Sequence, residues 1–235
     1  MRANRIAEEL HSVRLNLEPD FVHFYDVFQN ILRQKQNSVW IDLGCGKNIF
    51  VNEFGPNFKY AVGVDADKRL MGVAAHPFVC GNIRRLPFKD NAFDLITTYM
   101  TVEHFPEPMK ELAEIYRTLK PGGRLVVCTV NKKYWASLLN RVIPECVKRL
   151  LLAATFGRKE EDVFPAFYKL NTKNDLEAVL DKTGFSRICA TQHTHYFAFS
   201  RMFFKLQYFL DKKTAMGRTS LFRNYLIVTA SKARA

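Results

Sequence analysis

The sequence predicts a doubly wound α/β fold on a largely parallel sheet, and three observations carry that expectation. From residue 39 onward, short apolar runs alternate with amphipathic helical stretches. The apolar runs are near-continuous, as in strands covered on both faces. The first of them, Val39-Trp40-Ile41-Asp42-Leu43, empties into Gly44-Cys45-Gly46. Two glycines one residue apart after a strand bring bare backbone close to a ligand, because Gly takes positive φ without a Cβ clash. In such sheets ligands bind beyond the carboxyl ends of the strands, at the topological switch point.

The elements follow in order. Residues 2–17 place Ile6, Leu10, Val13 and Leu17 at helical spacing. Glu18-Pro19-Asp20 breaks that helix, and Asp20 can cap a second one over 21–35, with Phe24, Phe28 and Leu32 on one side. Together they read as an N-terminal helical cap, 1–36, ahead of a main domain, 37–235. Strands are expected at 39–43, 60–65, 78–81 and 93–98. A helix over 109–119, with Leu112, Ile115, Tyr116 and Leu119 inward, stops at Lys120-Pro121-Gly122-Gly123 and turns into strand five, 124–130. The rhythm then breaks at a long insertion, 132–170. A helix over 174–183 closed by Gly184, a strand over 186–194, an aromatic helix over 198–213 and a last strand over 224–231 complete the chain.

Composition narrows the classes. The 235 residues suit one domain with an insertion and can bury a core unaided. A formal net charge of +12 leaves nucleic acid, an anionic membrane, an anionic substrate or plain solubility open. Cys45, Cys80, Cys128, Cys146 and Cys189 are odd in number and form no C-x-x-C pair, which argues against a zinc or other metal site and against a disulfide framework. They read as reduced, mostly buried thiols of a cytoplasmic protein. Glu8, Glu9, His11 and Arg14 interrupt any leader-like apolar run. No stretch reaches the roughly 20 apolar residues of a membrane span.

The glycine loop excludes one ligand class. A dinucleotide loop wants G-x-G-x-x-G, and here the third position is Ile49. A pyrophosphate would also face Asp42, so a ligand with a cationic end is favoured, an amino-acid-bearing nucleoside rather than NAD. A glycine turn without a ligand is the bland alternative. Asp65, at the tip of strand two and about 20 residues downstream, stands where a ribose-binding acid belongs. The competing role for it is a helix cap, for which Asp67 is better placed.

These pieces, taken together, resemble the class I S-adenosylmethionine-dependent methyltransferases, in particular the ubiquinone/menaquinone-type small-molecule group. The resemblance rests on Asp42-Leu43-Gly44-Cys45-Gly46, Gly63-Val64-Asp65, Gly81-Asn82-Ile83-Arg84-Arg85-Leu86-Pro87-Phe88, Phe93-Asp94-Leu95-Ile96, Val102-Glu103-His104-Phe105 and Leu119-Lys120-Pro121-Gly122-Gly123. It spans roughly residues 35–130 and the last strand. It implies a seven-stranded mixed sheet of Rossmann-like methyltransferase type, with the last strand antiparallel and a helical insertion after strand five. It implies S-adenosyl-L-methionine as cofactor, with Asp42, Gly44, Cys45 and Gly46 on the methionine part and Asp65 on the ribose. Asn82 and Ile83 would meet the adenine, and Ala66 and Met100 complete the set. One departure stands out: the family often has Asp where this chain has Asn82, whose amide oxygen can still accept a hydrogen bond.

For methyl transfer the cofactor carries the reactivity and the protein supplies position and electrostatics. Candidates after strand four are Tyr99, Thr101, Glu103 and His104. His104 is the candidate base for an acceptor hydroxyl, with Glu103 beside it. A structural role at a helix start is the competing reading for both. Nucleic acid is disfavoured as acceptor, since Thr98-Tyr99-Met100-Thr101 replaces the Pro-Pro motif of amino-methylating enzymes that resemble this fold.

The acceptor is sought in the insertions. Trp135, Leu138, Leu139 and Val142 form an apolar helical face beside Lys132, Lys133 and Arg141. Phe199, Met202, Phe203, Leu206 and Phe209 repeat the recipe beside Lys205 and Lys213. Such faces suit a lid over a greasy substrate, peripheral contact with an anionic membrane, or plain core. Phe167, Tyr168 and Asn171, just before a helix capped at Thr172, are expected at the acceptor mouth or in a packing turn. The sequence thus reads as methyl transfer to a small or lipid-like acceptor at oxygen or carbon. A non-catalytic S-adenosylmethionine-binding partner subunit and a nucleic-acid methyltransferase are the alternatives. Oligomeric state is not legible.

Overall fold

The computed structural model describes residues 24–72, 76–135, 165–193 and 223–234, with isolated positions 137, 202, 205, 206, 208–210 and 213. The expected helix over 2–17 lies outside these residues, as do most of the insertion and much of the aromatic helix.

Helix α1 (Phe24–Gln34) precedes β1 (Val39–Leu43), and a short helix α2 (Ile49–Phe54) leads to β2 (Tyr60–Asp65). Strands β3 (Phe78–Cys80) and β4 (Phe93–Tyr99) follow, then α3 (Pro108–Thr118) and β5 (Leu119–Val130). Helix α4 (Lys173–Thr183), β6 (Phe185–His193) and β7 (Tyr225–Lys232) close the fold. The seven strands form one sheet in the order β3-β2-β1-β4-β5-β7-β6. β1 to β5 run parallel, and β7 inserts antiparallel between β5 and β6. The order reverses between β1 and β4, so the carboxyl ends of β1 and β4 diverge and leave a crevice.

Neighbouring residues of each strand feed opposite faces. Ile41, Leu43, Leu125 and Val127 pack under Leu112 and Ile115 of α3 and Leu176 and Leu180 of α4. Trp40, Leu95, Val126 and Cys128 pack under Phe28 and Leu32 of α1 and Phe50, Val51 and Phe54 of α2. This two-sided burial is why the strands read as unbroken apolar runs. Helix α1 is tied to α2 and to β4 by aromatic contacts from Phe28 to Phe50 and Tyr99, with centroids 4.9 and 5.5 Å apart.

Two expectations shift. β5 begins at Leu119, earlier than 124, yet the turn chemistry of Lys120-Pro121-Gly122-Gly123 is real. The register jumps from Phe93↔Leu119 to Leu95↔Arg124, and Gly122 takes φ +76°, so these residues form a bulge inside the strand. The cysteines are not mostly buried: Cys128 is buried and Cys45 half-buried, but Cys80 and Cys189 are exposed. The reason is their place on β3 and β6, the two edge strands. All four described cysteines are free thiols. At α4, the cap reads as expected: Thr172 Oγ1 accepts from the Asp175 amide at 3.1 Å, and Gly184 ends the helix at φ +97°.

Gly63 shows how tightly β2 carries the first loop. A Cβ there would lie 2.0 Å from Asn48 Oδ1 and 2.6 Å from Cys45 Sγ. Gly63→Ala should therefore destabilise the chain by about 1–3 kcal/mol through overpacking. Urea unfolding checks this, and an unchanged midpoint would show that the loop does not rest on β2.

Candidate functional site

The turn after β1 is set by backbone. Gly44, Gly46 and Asn48 all take positive φ, at +70°, +52° and +58°. The amides of Gly44 and Cys45 both donate to the carbonyl of Val64, at 2.7 and 3.1 Å. The amide of Gly46 donates to Asp65 Oδ2 at 2.8 Å, and that of Asp67 to Asp65 Oδ1 at 2.9 Å. Asp65 thus orders the loop and the following turn with one carboxylate. Asp67 takes the capping role, its Oδ1 accepting the Arg69 amide at 3.0 Å at the start of the 3₁₀ turn Lys68–Gly72. Ile49, where a dinucleotide loop has its third glycine, is 59% exposed and opens α2.

Across the crevice, β4 is followed by Met100, a non-glycine residue at φ +52°. Backbone strain of this kind costs on the order of 1 kcal/mol and gathers at functional sites. The Met100 amide is held by the carbonyl of Cys128 at 2.8 Å. Thr101 packs directly on Gly44, where an added Cβ would lie 2.3 Å from its methyl and hydroxyl groups. The loop after β3 is braced from α3: the Leu86 amide donates to Glu114 Oε1 at 2.7 Å, and Arg117 bonds Glu114, Asp90 and the Leu86 carbonyl.

These loops enclose a cavity of about 400 Å³. Of the residues expected there, Gly44, Gly46, Asp65, Ala66, Asn82, Ile83, Met100 and His104 line it. Asp42, Cys45 and Glu103 are not among the lining residues. Sequence reasoning assigned no role there to Gly81, Arg84, Phe105, Pro106 or Glu111, which line it too, as does Thr101. Glu111 did leave a signal: it is a carboxylate one turn before Ile115 on an inward helix face, and it is 2% exposed.

Asp42 lies beneath the loop, 1% exposed. Its Oδ1 accepts from Thr97 Oγ1 at 2.6 Å, and Thr97 in turn accepts from Trp40 Nε1 at 2.8 Å. Burial pushes the Asp42 carboxyl up to about 7, against the Thr97 hydrogen bond and with help from the Asp65 charge. Glu103 is also sealed in. Its Oε2 accepts from Thr129 Oγ1 at 2.9 Å, Thr129 accepts from Asn171 Nδ2 at 2.8 Å, and burial raises the Glu103 carboxyl. The Glu103 carbonyl accepts the amides of Phe167 and Tyr168 at 2.7 and 3.1 Å. Asn171 is therefore a packing residue, fully buried, while Phe167 and Tyr168 stay 48% and 43% exposed. His104 Nδ1 lies 2.8 Å from the Pro165 carbonyl. A carbonyl only accepts, so Nδ1 carries the proton, and in the neutral ring the lone pair is on Nε2.

The strand order, the lone antiparallel β7 and a glycine loop tied to an acid at the tip of β2 define the class I methyltransferase fold. Comparison with known proteins agrees. Residues 41–127 match the family described as "Methyltransferase domain". The chain is 27% identical over 159 residues to a demethylmenaquinone methyltransferase of Streptomyces griseus, covering 63% of this chain and 68% of that one. It is 29% identical over 124 residues to a ubiquinone biosynthesis O-methyltransferase of Coxiella burnetii, covering 49% of this chain and 53% of that one. Among solved structures, an S-adenosylmethionine-dependent methyltransferase of Thermotoga maritima superposes with a TM-score of 0.57 at 18% identity, over 97% of each chain. The matched stretch thus spans between about half and two thirds of the curated relatives. Residues 41–127 thus match a methyltransferase domain, within a class I methyltransferase fold whose cofactor class is S-adenosyl-L-methionine.

The cavity fits that cofactor on its own terms. A Cβ on Gly46 would meet nothing within 4 Å, so this part of the loop faces open space suited to a ligand. Asp65 holds two backbone donors and has lone pairs left for hydroxyl groups. Glu111 Oε2, in a cavity-lining residue, is buried without a hydrogen-bond partner. Asn82 Oδ1 already accepts the Arg84 amide at 2.9 Å, which leaves one lone pair for an adenine amino group. Among the described residues no cluster could hold a metal ion.

The two loop glycines should separate folding from binding. Gly44→Ala meets both a positive φ and Thr101, so it should lower stability by about 2 kcal/mol or more. Gly46→Ala carries only the conformational cost, about 1 kcal/mol, but should weaken S-adenosylhomocysteine binding tenfold or more because its methyl enters the cavity. Urea unfolding and calorimetric titration check the pair, and equal effects on both readouts would contradict the assignment.

Asp42 predicts a pH dependence. Its folded value, about 7, lies above the ordinary 3.8, so the folded state keeps a proton the unfolded state releases. Its contribution to stability is therefore greatest below about pH 4 and declines as pH rises to about 7. Asp42→Asn lacks this titration, so its stability should gain on that of the parent across this window. A constant difference between the two from pH 4 to 8, measured by urea midpoints, would refute it.

Proposed function

We propose that this chain transfers a methyl group from S-adenosyl-L-methionine to oxygen or carbon of a small or lipid-like acceptor. The observation that carries the reading is the convergence on one cavity of Gly46, Asp65 and a histidine whose tautomer is set by the Pro165 carbonyl. The names of the quinone-pathway relatives support an aromatic hydroxyl or ring carbon as acceptor. When bound, the cofactor supplies an electrophilic methyl group on a sulfonium.

The roles fall to this chain's residues as follows. Gly44 and Gly46 offer backbone to the amino-acid part, with the Asp42 carboxyl group beneath the loop. Asp65 accepts from the ribose hydroxyls, with Ala66 alongside. Ile83 packs on the adenine, and Asn82 accepts from its amino group. Met100 fixes the floor between loop and acceptor. His104 takes the acceptor's hydroxyl proton on Nε2 while Nδ1 keeps its bond to Pro165. The resulting imidazolium then stands beside the peptide carbonyl that stabilises it. Glu103 is a positioning residue, holding the loop through Thr129 and through its own carbonyl.

A second strand of the reading concerns access. No helix among the described residues is long and apolar enough to cross a membrane. Met202, Leu206 and Phe209 are 82%, 52% and 53% exposed at helical spacing, with Lys205 and Lys213 exposed beside them. This face supports peripheral contact with an anionic bilayer holding a lipid-like acceptor.

The test is a methyl-transfer assay over quinols, phenols and lipid extracts, offered in detergent and in anionic vesicles. His104→Gln should lower kcat by roughly 10²–10⁴-fold with S-adenosylhomocysteine affinity unchanged. Cofactor binding without turnover on any acceptor would favour the non-catalytic partner subunit. Full activity in His104→Gln would remove the base.

A further inference from the structure

A second cavity, of about 680 Å³, opens on the same carboxyl edge of the sheet, beyond β5. Asn131 follows β5, Ala190 to Gln192 end β6, Arg223 precedes β7, and Thr172 to Asn174 start α4. The crossover at β1 and β4 places the first cavity at the other end of this edge.

Its charge is one-sided. Among the described residues, Lys133, Lys173 and Arg223 line it, and no carboxylate does. The nearby Lys132 is neutralised by Asp175 at 2.5 Å, and Lys173 reaches Glu177 at 3.8 Å. Lys133 and Arg223 form no ion pair among the described residues. The amino end of α4 adds the partial positive charge of a helix terminus. His193, next along β6, is pushed down by burial and then by the Arg223 charge.

Lys133 and Arg223 are brought together by one buried side chain. Asn131, 1% exposed, accepts the Lys133 amide on Oδ1 at 3.0 Å and donates from Nδ2 to the Arg223 carbonyl at 2.7 Å. Its own amide donates to the Asn224 carbonyl at 2.8 Å. The arrangement holds like charges around a concavity whose described lining carries no carboxylate, with the Asp175 charge acting on Lys132 first and then on Lys133, and such focusing draws anions. Arg adds a fork matched to two oxygens of a phosphate or carboxylate.

We propose that this cavity binds an oxyanion group, phosphate or carboxylate, carried by the methyl acceptor, whose reacting atom lies over the first cavity. The inference rests on the methyltransferase reading above and narrows its substrate class to anionic acceptors.

The full chain is titrated calorimetrically with inorganic phosphate, pyrophosphate and citrate, with S-adenosylhomocysteine as an independent ligand. Saturable binding of at least one anion is expected, weakened about tenfold or more in Lys133→Ala/Arg223→Ala and less in Arg223→Lys, which keeps charge but loses the fork. S-adenosylhomocysteine affinity and thermal midpoint should be unchanged in these variants, which separates this site from the cofactor site and from misfolding. No saturable binding of any of the three anions, or equal binding by the double variant, overturns the proposal. Binding of a single-stranded oligonucleotide with none of the small anions overturns it in favour of a nucleic-acid contact. Failure of S-adenosylhomocysteine to bind strikes the methyltransferase reading instead. With an acceptor in hand, Arg223→Ala should raise KM about tenfold and leave kcat within about twofold.

Discussion

Two parallel strands end side by side, and one carboxylate ties the loops that leave them. Asp65 accepts the amides of Gly46 and Asp67, while the Val64 carbonyl takes those of Gly44 and Cys45. Four backbone donors are satisfied within two residues of β2. With those bonds made, the loop has a single shape, and Thr101 and Gly63 press on it from either side. Everything the first cavity offers a ligand depends on that frame. The rest of the sheet serves to keep β1, β2 and β4 in register beneath it.

Much of this was legible in the residues. The glycine spacing, the acid at the end of β2 and the two-sided apolar strands are local signals, and the fold answers them directly. The cap at Thr172 and the stop at Gly184 follow from the same kind of local chemistry. What escaped reading was three-dimensional. Asp42 belongs to a strand, so the pleat turns its side chain under the loop toward Thr97 rather than into the cavity. Cys80 and Cys189 are exposed because their strands lie at the sheet's edges, and edge position is a property of topology rather than of any window of sequence. Glu111 and Arg84 meet across the cavity wall, 3.9 Å apart and 27 positions distant in the chain, where no periodicity could pair them.

Glu103, a candidate for chemistry with a structural role as the competing reading, sits in a buried network outside the cavity lining. Its side chain, Thr129 and Asn171 form a buried chain of hydrogen bonds that joins the end of β5 to the segment before α4. Its carbonyl catches the amides of Phe167 and Tyr168, and Lys169 reaches the Pro106 carbonyl at 2.7 Å. The loop that carries His104 is therefore stitched to residues 165–171 along its length. Buried polar networks of this sort fix one arrangement where an apolar contact would allow several.

The chain from Trp40 through Thr97 to Asp42 has an optical consequence. An indole sealed in the core donates to the hydroxyl that itself donates to the carboxylate beneath the glycine loop. Any change in the charge of Asp42, whether by titration or by a cation arriving above it, alters the field at that indole within two hydrogen bonds. The chain has two tryptophans, and Trp135 stands far along the sequence after β5. Trp40 is thus a native chromophore two hydrogen bonds from the carboxyl group beneath the glycine loop, placed where an emission spectrum can sense the charge there without a label.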